Sequence, residues 1–258
     1  MDKLPYDQTQ LVYQDQGEGN PIVLLHAGVA DHRMWHNCID SLLVKHRVIT
    51  LDLPGFGESL LPNNAFAYYE VLARLLDHCD IEQATLIGTS FGGELALDFA
   101  LHFPQRVEKL ILLSPAASGF KPENEVKVFG GQEDELLEQG KLEAASRLNV
   151  DMWLVGPKRK PADVDEALQD LVFNMQLAAF KQPEPEGVAL KPNNLVALDN
   201  LLLIQCPVSI LSGELDVPEF LALGKRLAGG ITNSKHILVP DVAHLITLEA
   251  PEVLLDVL

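Results

Sequence analysis

Gly88-Thr89-Ser90-Phe91-Gly92-Gly93 joins a β-branched run to an apolar helical stretch. A Gly-x-Ser-x-Gly turn between strand and helix lifts a serine hydroxyl clear of the sheet edge. Gly88 and Gly92 suit such a turn because strand and helix backbones come too close there for a β-carbon. A serine hydroxyl attacks a carbonyl only when a base takes its proton. Of the eight histidines, His244 is the candidate base, because it follows the run Ile237–Val239 in the loop Pro240-Asp241-Val242-Ala243. Loops after the carboxyl ends of parallel strands share one rim, so Ser90 and His244 converge there. His78 and His102 lie in helical stretches with an expected surface position, His236 begins a strand, and His26 is expected to pin its own loop. A protonated imidazole needs a carboxylate beside it. Asp216, in Ser212-Gly213-Glu214-Leu215-Asp216 after the run Val208–Leu211, takes that role ahead of Glu214 and Asp241. The oxyanion of an acyl-transfer intermediate needs two donors. These are the backbone N–H of Phe91, after the nucleophile, and that of Gly28, with Val29 as the alternative.

The elements that must hold these residues follow from periodicity. Continuous apolar runs at Ile22–Leu25, Val48–Leu51, Thr85–Ile87, Leu110–Leu113, Val208–Leu211 and His236–Val239 read as strands of a parallel sheet covered on both faces. Leu11–Gln16 alternates and reads as an edge strand joined by the Gly17–Asn20 turn to the next. Helices are expected near Met34–Lys45, Phe66–Asp80, Gly92–His102, Phe220–Leu227 and Pro251–Leu258. The alternation predicts an α/β fold with a mainly parallel twisted sheet. From about 117 to 205 it breaks: no strand is evident, and Glu133–Leu154 and Asp163–Phe180 are helical in pattern. The expected organisation is therefore a core of residues 1–116 and 206–258, with residues 117–205 inserted as a helical cap.

Composition narrows the partners. The 258 residues carry 19 Lys+Arg against 37 Asp+Glu, a formal charge of −18. Such a surface repels phosphate backbones and anionic lipid, so neither nucleic acid nor a membrane is an expected partner. The first ten residues lack the basic and apolar regions of an export signal, and cytoplasmic localisation is the expectation. Cys38, Cys79 and Cys206 are odd in number and widely spaced, which reads as free, largely buried thiols and not as a disulfide framework or zinc site.

With these residues in hand, the chain resembles the α/β-hydrolase fold superfamily across nearly its full length. His26-Ala27-Gly28 ahead of Met34-Trp35 is similar to the family's oxyanion loop, and Asp52-Leu53-Pro54-Gly55-Phe56-Gly57-Glu58-Ser59 to its turn after the next strand. Gly88–Gly93 matches the nucleophile elbow, Gly213–Asp216 the acid loop, and His244 with Glu249-Ala250-Pro251-Glu252 the histidine region. Within the superfamily the chain looks like capped enol-lactonases, carboxylesterases and carbon–carbon bond hydrolases. Ser90 sets it apart from the dehalogenases and epoxide hydrolases, which use aspartate there. Thr89 and Phe91 depart from the Gly-Gly-Ser-Trp-Gly of proline iminopeptidases, and Ala27 replaces the usual Gly of the oxyanion loop.

The resemblance implies a serine hydrolase of small, mostly apolar esters or lactones, with Ser90, Asp216 and His244 as triad and no metal or organic cofactor. One alternative keeps the triad but cleaves a carbon–carbon bond in a vinylogous diketone. That reading asks for a basic pocket, for which Arg147, Lys158, Arg159 and Lys160 are the available residues, although a solvated loop is their plainer role. Another alternative is a slow-turnover small-molecule receptor of the same fold. Phe129, Met152, Trp153, Phe173 and Met175 offer apolar surface for a substrate pocket, but are expected rather to pack the cap onto the core.

Overall fold

The computed structural model describes residues 1–258. Its elements are, in chain order, β1 (Asp2–Tyr6), β2 (Thr9–Gln16), β3 (Asn20–Leu25), α1 (His36–Leu43), β4 (His46–Leu51), α2 (Tyr68–His78), β5 (Ala84–Thr89), α3 (Phe91–His102) and β6 (Val107–Leu113). There follow α4 (Asn124–Glu138), α5 (Leu142–Asn149), α6 (Glu166–Phe180), β7 (Val208–Gly213), α7 (Pro218–Gly230), β8 (Ser234–Val239) and α8 (Ile246–Glu249). The strands form one sheet in the order β1-β2-β4-β3-β5-β6-β7-β8. β3 to β8 run parallel, while β2 is antiparallel to both β1 and β4.

The continuous apolar runs are explained by two cores, one on each face. Val23, Leu25, Leu86, Leu110 and Leu112 point to the side covered by α2 and α3. Their neighbours Ile22, Leu24, Ile87, Ile111 and Leu113 point to the side covered by α1 and the C-terminal segment, a core that also takes in Phe129, Val150, Trp153 and Met175 of the helical insertion. Successive strand residues alternate faces, so a strand buried on both must be apolar throughout.

Four expectations shift. The strand at Leu11–Gln16 is not the edge: β1 takes that place, and β2 pairs with β4 instead of the β3 that follows it. β1 buries only Leu4 and carries Pro5, which an edge tolerates, so it left little apolar signal. The helix expected over Glu133–Leu154 is broken, because Gly140 adopts φ +68° between α4 and α5, and Val150–Val155 continues α5 as a wider π-type turn. Phe66 is extended and not helical, held by its N–H to Ala189 O and its carbonyl to Lys191 N–H. The terminal helix shrinks to the short 3-10 turn Pro251–Leu254. No helix is long and apolar enough to cross a membrane.

Candidate active site

Ser90 is the single residue between β5 and α3, with φ 52° and ψ −113°. A left-handed φ at a non-glycine residue stores roughly 1–3 kcal/mol of strain, so its surroundings must hold it. Its N–H donates to Leu113 O at 3.0 Å, and its carbonyl accepts from Gly93, Glu94 and Ala116 N–H at 2.9–3.0 Å. A β-carbon on Gly88 would stand 2.3 Å from Gly92 O, and one on Gly92 would stand 2.1 Å from Leu25 O. Both glycines are thus required by the close approach of β3, β5 and α3.

Asp216 and His244 meet across two loops. Asp216 Oδ2 is 2.9 Å from His244 Nδ1, and Asp216 Oδ1 accepts from Val217 N–H at 2.7 Å. Both side chains are almost fully buried, while the competing Glu214 and Asp241 are exposed. Since Nδ1 faces a carboxylate it carries the proton, which leaves Nε2 as a lone pair. Nε2 has no hydrogen-bond partner. The imidazole is wedged between Trp153 and Phe220, with ring centroids at 4.7 and 4.5 Å.

Of the other histidines, His46 has a buried Nδ1 without a partner and the rest are engaged. His26 is fully buried, its Nε2 accepts from Leu53 N–H at 2.9 Å and its Nδ1 lies 2.8 Å from Ala27 O. Burial pushes its pKa down, so it stays neutral and fixes the loop. His102 stacks on Tyr69, His78 meets the Tyr13 hydroxyl, and His236 meets Ser212 Oγ. In the loop pinned by His26, a turn closed by Ala30 N–H to Ala27 O places Gly28 and Val29 at its centre. Asp52 shapes the neighbouring turn by accepting from Glu58 N–H and pairing with His32. Asp31, His32 and Asp52 have metal-ligand spacing, but Arg33 already occupies Asp31 and His32 occupies Asp52.

Ser90 and His244 line one cavity of about 440 Å³. Its sheet side is made by Gly28, Val29, Gly55, Phe56 and Phe91. The helical insertion closes it with Phe129, Glu133, Asn149, Trp153, Gln176 and Phe180. The five sequence-derived candidates therefore gather at one place: Ser90, His244, Gly28 and Phe91 on the cavity wall and Asp216 behind His244.

A family model for the alpha/beta hydrolase fold matches residues 20–154, just over half of the chain. The chain belongs to the α/β-hydrolase fold family. It is 36% identical over 114 residues to a 2-hydroxy-6-oxo-2,4-heptadienoate hydrolase of Pseudomonas putida, a match covering 42% of this chain and 41% of that protein. It is 30% identical over 218 residues to a pimeloyl-[acyl-carrier protein] methyl ester esterase of Vibrio campbellii, covering 81% of each. Among solved structures, the enol-lactonase of Burkholderia xenovorans LB400 superposes with a TM-score of 0.80 at 18% identity, over 99% of this chain and 97% of that one.

Sequence reasoning about this α/β-hydrolase fold chain missed the roof of the cavity. For Trp153 and Phe129 packing is the preferred reading over pocket lining, yet both line the cavity, and Trp153 touches the His244 ring. Met175 is core and Phe173 lies under Arg147, as packing residues would. The basic cluster lines no part of the cavity: Lys158 and Lys160 are exposed, as a solvated loop implies, while Arg159 is held. Arg159 pairs with Glu249, which also accepts from Ala243 N–H, and Lys158 Nζ donates to Glu214 O. Glu133, Asn149 and Gln176 carried no motif, because they sit on three different helices.

Proposed function

We propose that this protein is a serine hydrolase of small carboxylic esters or lactones. The observation that carries the reading is the unpartnered His244 Nε2, on an imidazole oriented through Nδ1 by buried Asp216 and belonging to a residue that lines the same cavity as Ser90. Ser90 Oγ attacks the carbonyl carbon while its proton passes to His244 Nε2. Asp216 stabilises the resulting imidazolium. The N–H groups of Phe91 and Gly28, with Val29 adjoining, hold the oxyanion of the tetrahedral intermediate. His244 then protonates the leaving alkoxide, and water deacylates Ser90 by the reverse sequence. The scheme uses only the chain's own groups.

In this reading residues 117–205 act as a cap over a core of 1–116 and 206–258, and the enzyme works in the cytoplasm. Phe56, Phe129, Trp153 and Phe180 give the cavity apolar wall for the body of a mostly apolar substrate. The carbon–carbon hydrolase alternative asks for a basic pocket for a substrate carboxylate, whereas the cavity wall carries Glu133 and two amides with no Lys or Arg. The ester and lactone reading therefore leads.

Treatment of the pure protein with a fluorophosphonate, read by intact mass, tests the proposal. A single adduct in the wild type and none in Ser90→Ala is expected, followed by turnover of an ester and lactone panel in preference to a ring-fission dienone. No adduct in either protein would overturn the reading in favour of a binding protein.

A further inference from the structure

The end of the cavity away from the sheet carries three polar side chains among the aromatic ones. Glu133 on α4, Asn149 at the end of α5 and Gln176 on α6 line it together. Asn149 Nδ2 donates to Glu133 Oε1 and to Ala145 O, which fixes the orientation of the amide and uses both its N–H groups. What remains unengaged is Asn149 Oδ1 and the second carboxyl oxygen of Glu133, beside the Gln176 amide. The Gln176 side chain is 5% exposed, and its Oε1 has no hydrogen-bond partner. An acceptor left without a donor in a closed site costs roughly 1–3 kcal/mol, so the subsite favours a group that donates to Asn149 and Glu133.

The charge has the same sense. No Lys or Arg lines the cavity, and the nearby basic side chains are engaged elsewhere: Arg147 lies over Phe173, Arg159 pairs with Glu249, and Lys158 donates to Glu214 O. Glu133 has a neutral amide as its polar partner and no cation, and burial, with the like charge of Asp134, pushes its carboxyl above the ordinary value, a penalty that a cation beside it would relieve. An anionic substrate tail would meet repulsion there. A cationic donor would supply both the missing hydrogen bonds and the missing counter-charge.

We propose that Glu133, Asn149 and Gln176 form a specificity subsite that recognises a hydrogen-bond-donating, positively charged group, a protonated amine, on the substrate part remote from the scissile carbonyl. This rests on the serine hydrolase reading for its catalytic consequence, but the binding preference stands on the cavity alone. The enzyme would discriminate among esters of equal length by their tail: ammonium above methyl, and carboxylate last. Placing Glu133, Asn149 and Gln176 on three separate helices makes the preference depend on the packing of the insertion.

Two readouts test it. In the first, binding of an n-alkylammonium, the matching n-alkanol and the matching alkanoate is measured by calorimetry at neutral pH, with no turnover needed. The ammonium is expected to bind best and the alkanoate worst, and Glu133→Gln is expected to abolish the order. In the second, kcat/KM is measured for p-nitrophenyl esters whose acyl chains end in ammonium, methyl or carboxylate, over a ladder of lengths. The ammonium-to-methyl ratio should fall about tenfold or more in Glu133→Gln, the loss of one charged hydrogen bond. It should hold in Glu138→Gln, which removes an exposed charge of the same helix outside the cavity. A ladder with no tail preference, a preference for carboxylate, or equal ratios in Glu133→Gln and wild type would overturn the subsite. Failure of every ester to turn over, with the ammonium binding order intact, would overturn the hydrolase reading and leave the subsite standing.

Discussion

Gly213→Ala is the substitution that most directly challenges how Asp216 and His244 are brought together. A β-carbon at 213 would lie 1.9 Å from Ala243 O and 2.6 Å from Val242 O, whereas ordinary contact begins at 3.4 Å. Moving from 1.9 to 3.4 Å means that the loop bearing Asp216 and the loop bearing His244 must part by about 1.5 Å. They are laced by Glu214 N–H to Val239 O at 2.8 Å and Leu215 N–H to Val242 O at 2.9 Å, so the strain reaches the 2.9 Å Asp216–His244 bond directly. Lengthened by that amount, the bond passes about 4 Å and is lost. A misplacement of about 1 Å at a reacting group costs about 10²-fold in rate, and overpacking of this kind destabilises by about 1–3 kcal/mol. The expected result is a folded protein, a few degrees lower in Tm, whose kcat/KM for a p-nitrophenyl ester falls by about 10² or more. Gly130→Ala is the matched control, because its β-carbon would meet nothing within 4 Å on α4; it should keep full activity and gain a few tenths to about 1 kcal/mol of stability. Near-UV circular dichroism separates a repositioned site from a lost fold. If Gly213→Ala keeps kcat/KM within about threefold of wild type, the close approach does not set the geometry of the pair, and the reasoning fails.

Asp216→Asn preserves shape but removes the acceptor that holds the proton on His244 Nδ1; kcat should drop by about 10³–10⁴ with little change in Tm, and a drop under tenfold would remove Asp216 from the mechanism. The pair His32–Asp52 makes stability pH-dependent in a defined sense. For His32, burial opposes protonation but the Asp52 hydrogen bond and charge outweigh it, so its pKa lies above the ordinary 6.5. That contribution is fully present below about 6.5 and is lost as pH rises through the folded value. For Asp52, burial acts upward but the bonds from His32 and Glu58 prevail, so its pKa lies below the ordinary 3.8 and its contribution is lost only as acid reaches the folded value. The Tm difference between wild type and His32→Ala should therefore be largest near about pH 5–6 and shrink on going alkaline; a difference that grows with pH would contradict the pairing. Burial pushes the thiols of Cys38 up to about 12 and of Cys79 and Cys206 up to about 11. Iodoacetamide near pH 8 should label the native protein far more slowly than the unfolded one, with partly exposed Cys206 first, and rapid native labelling would count against these environments.

The parts of the site that sequence exposed are those written in contiguous residues. The turn at Ser90 announces itself because β5, two glycines and α3 adjoin, and Asp216 and His244 each follow an apolar strand at its carboxyl end. The position of the loop does not separate Asp216 from Glu214, which share it; burial of one with exposure of the other agrees with the preference for Asp216. β1 was invisible because five residues with one buried side chain make no pattern. The break at Gly140 had a signal, a glycine after an acidic run, which an uninterrupted helical period concealed. The cavity roof had none: Glu133, Asn149, Trp153 and Gln176 become neighbours only when the helices of the insertion fold over the sheet, and no local spacing encodes that.

Trp153 against the His244 ring and Arg159 on Glu249 make the insertion part of the wall that holds the histidine loop. Chimera design inherits a constraint from this. Transplanting residues 117–205 from a relative would exchange the surface on which His244 rests as well as the roof of the cavity, which the proposed function makes the surface that meets the substrate. A productive graft must therefore carry the loop from Asp241 to Glu249 with it, or retain Trp153 and Arg159 in the incoming sequence, so that selectivity and chemistry are exchanged as one module.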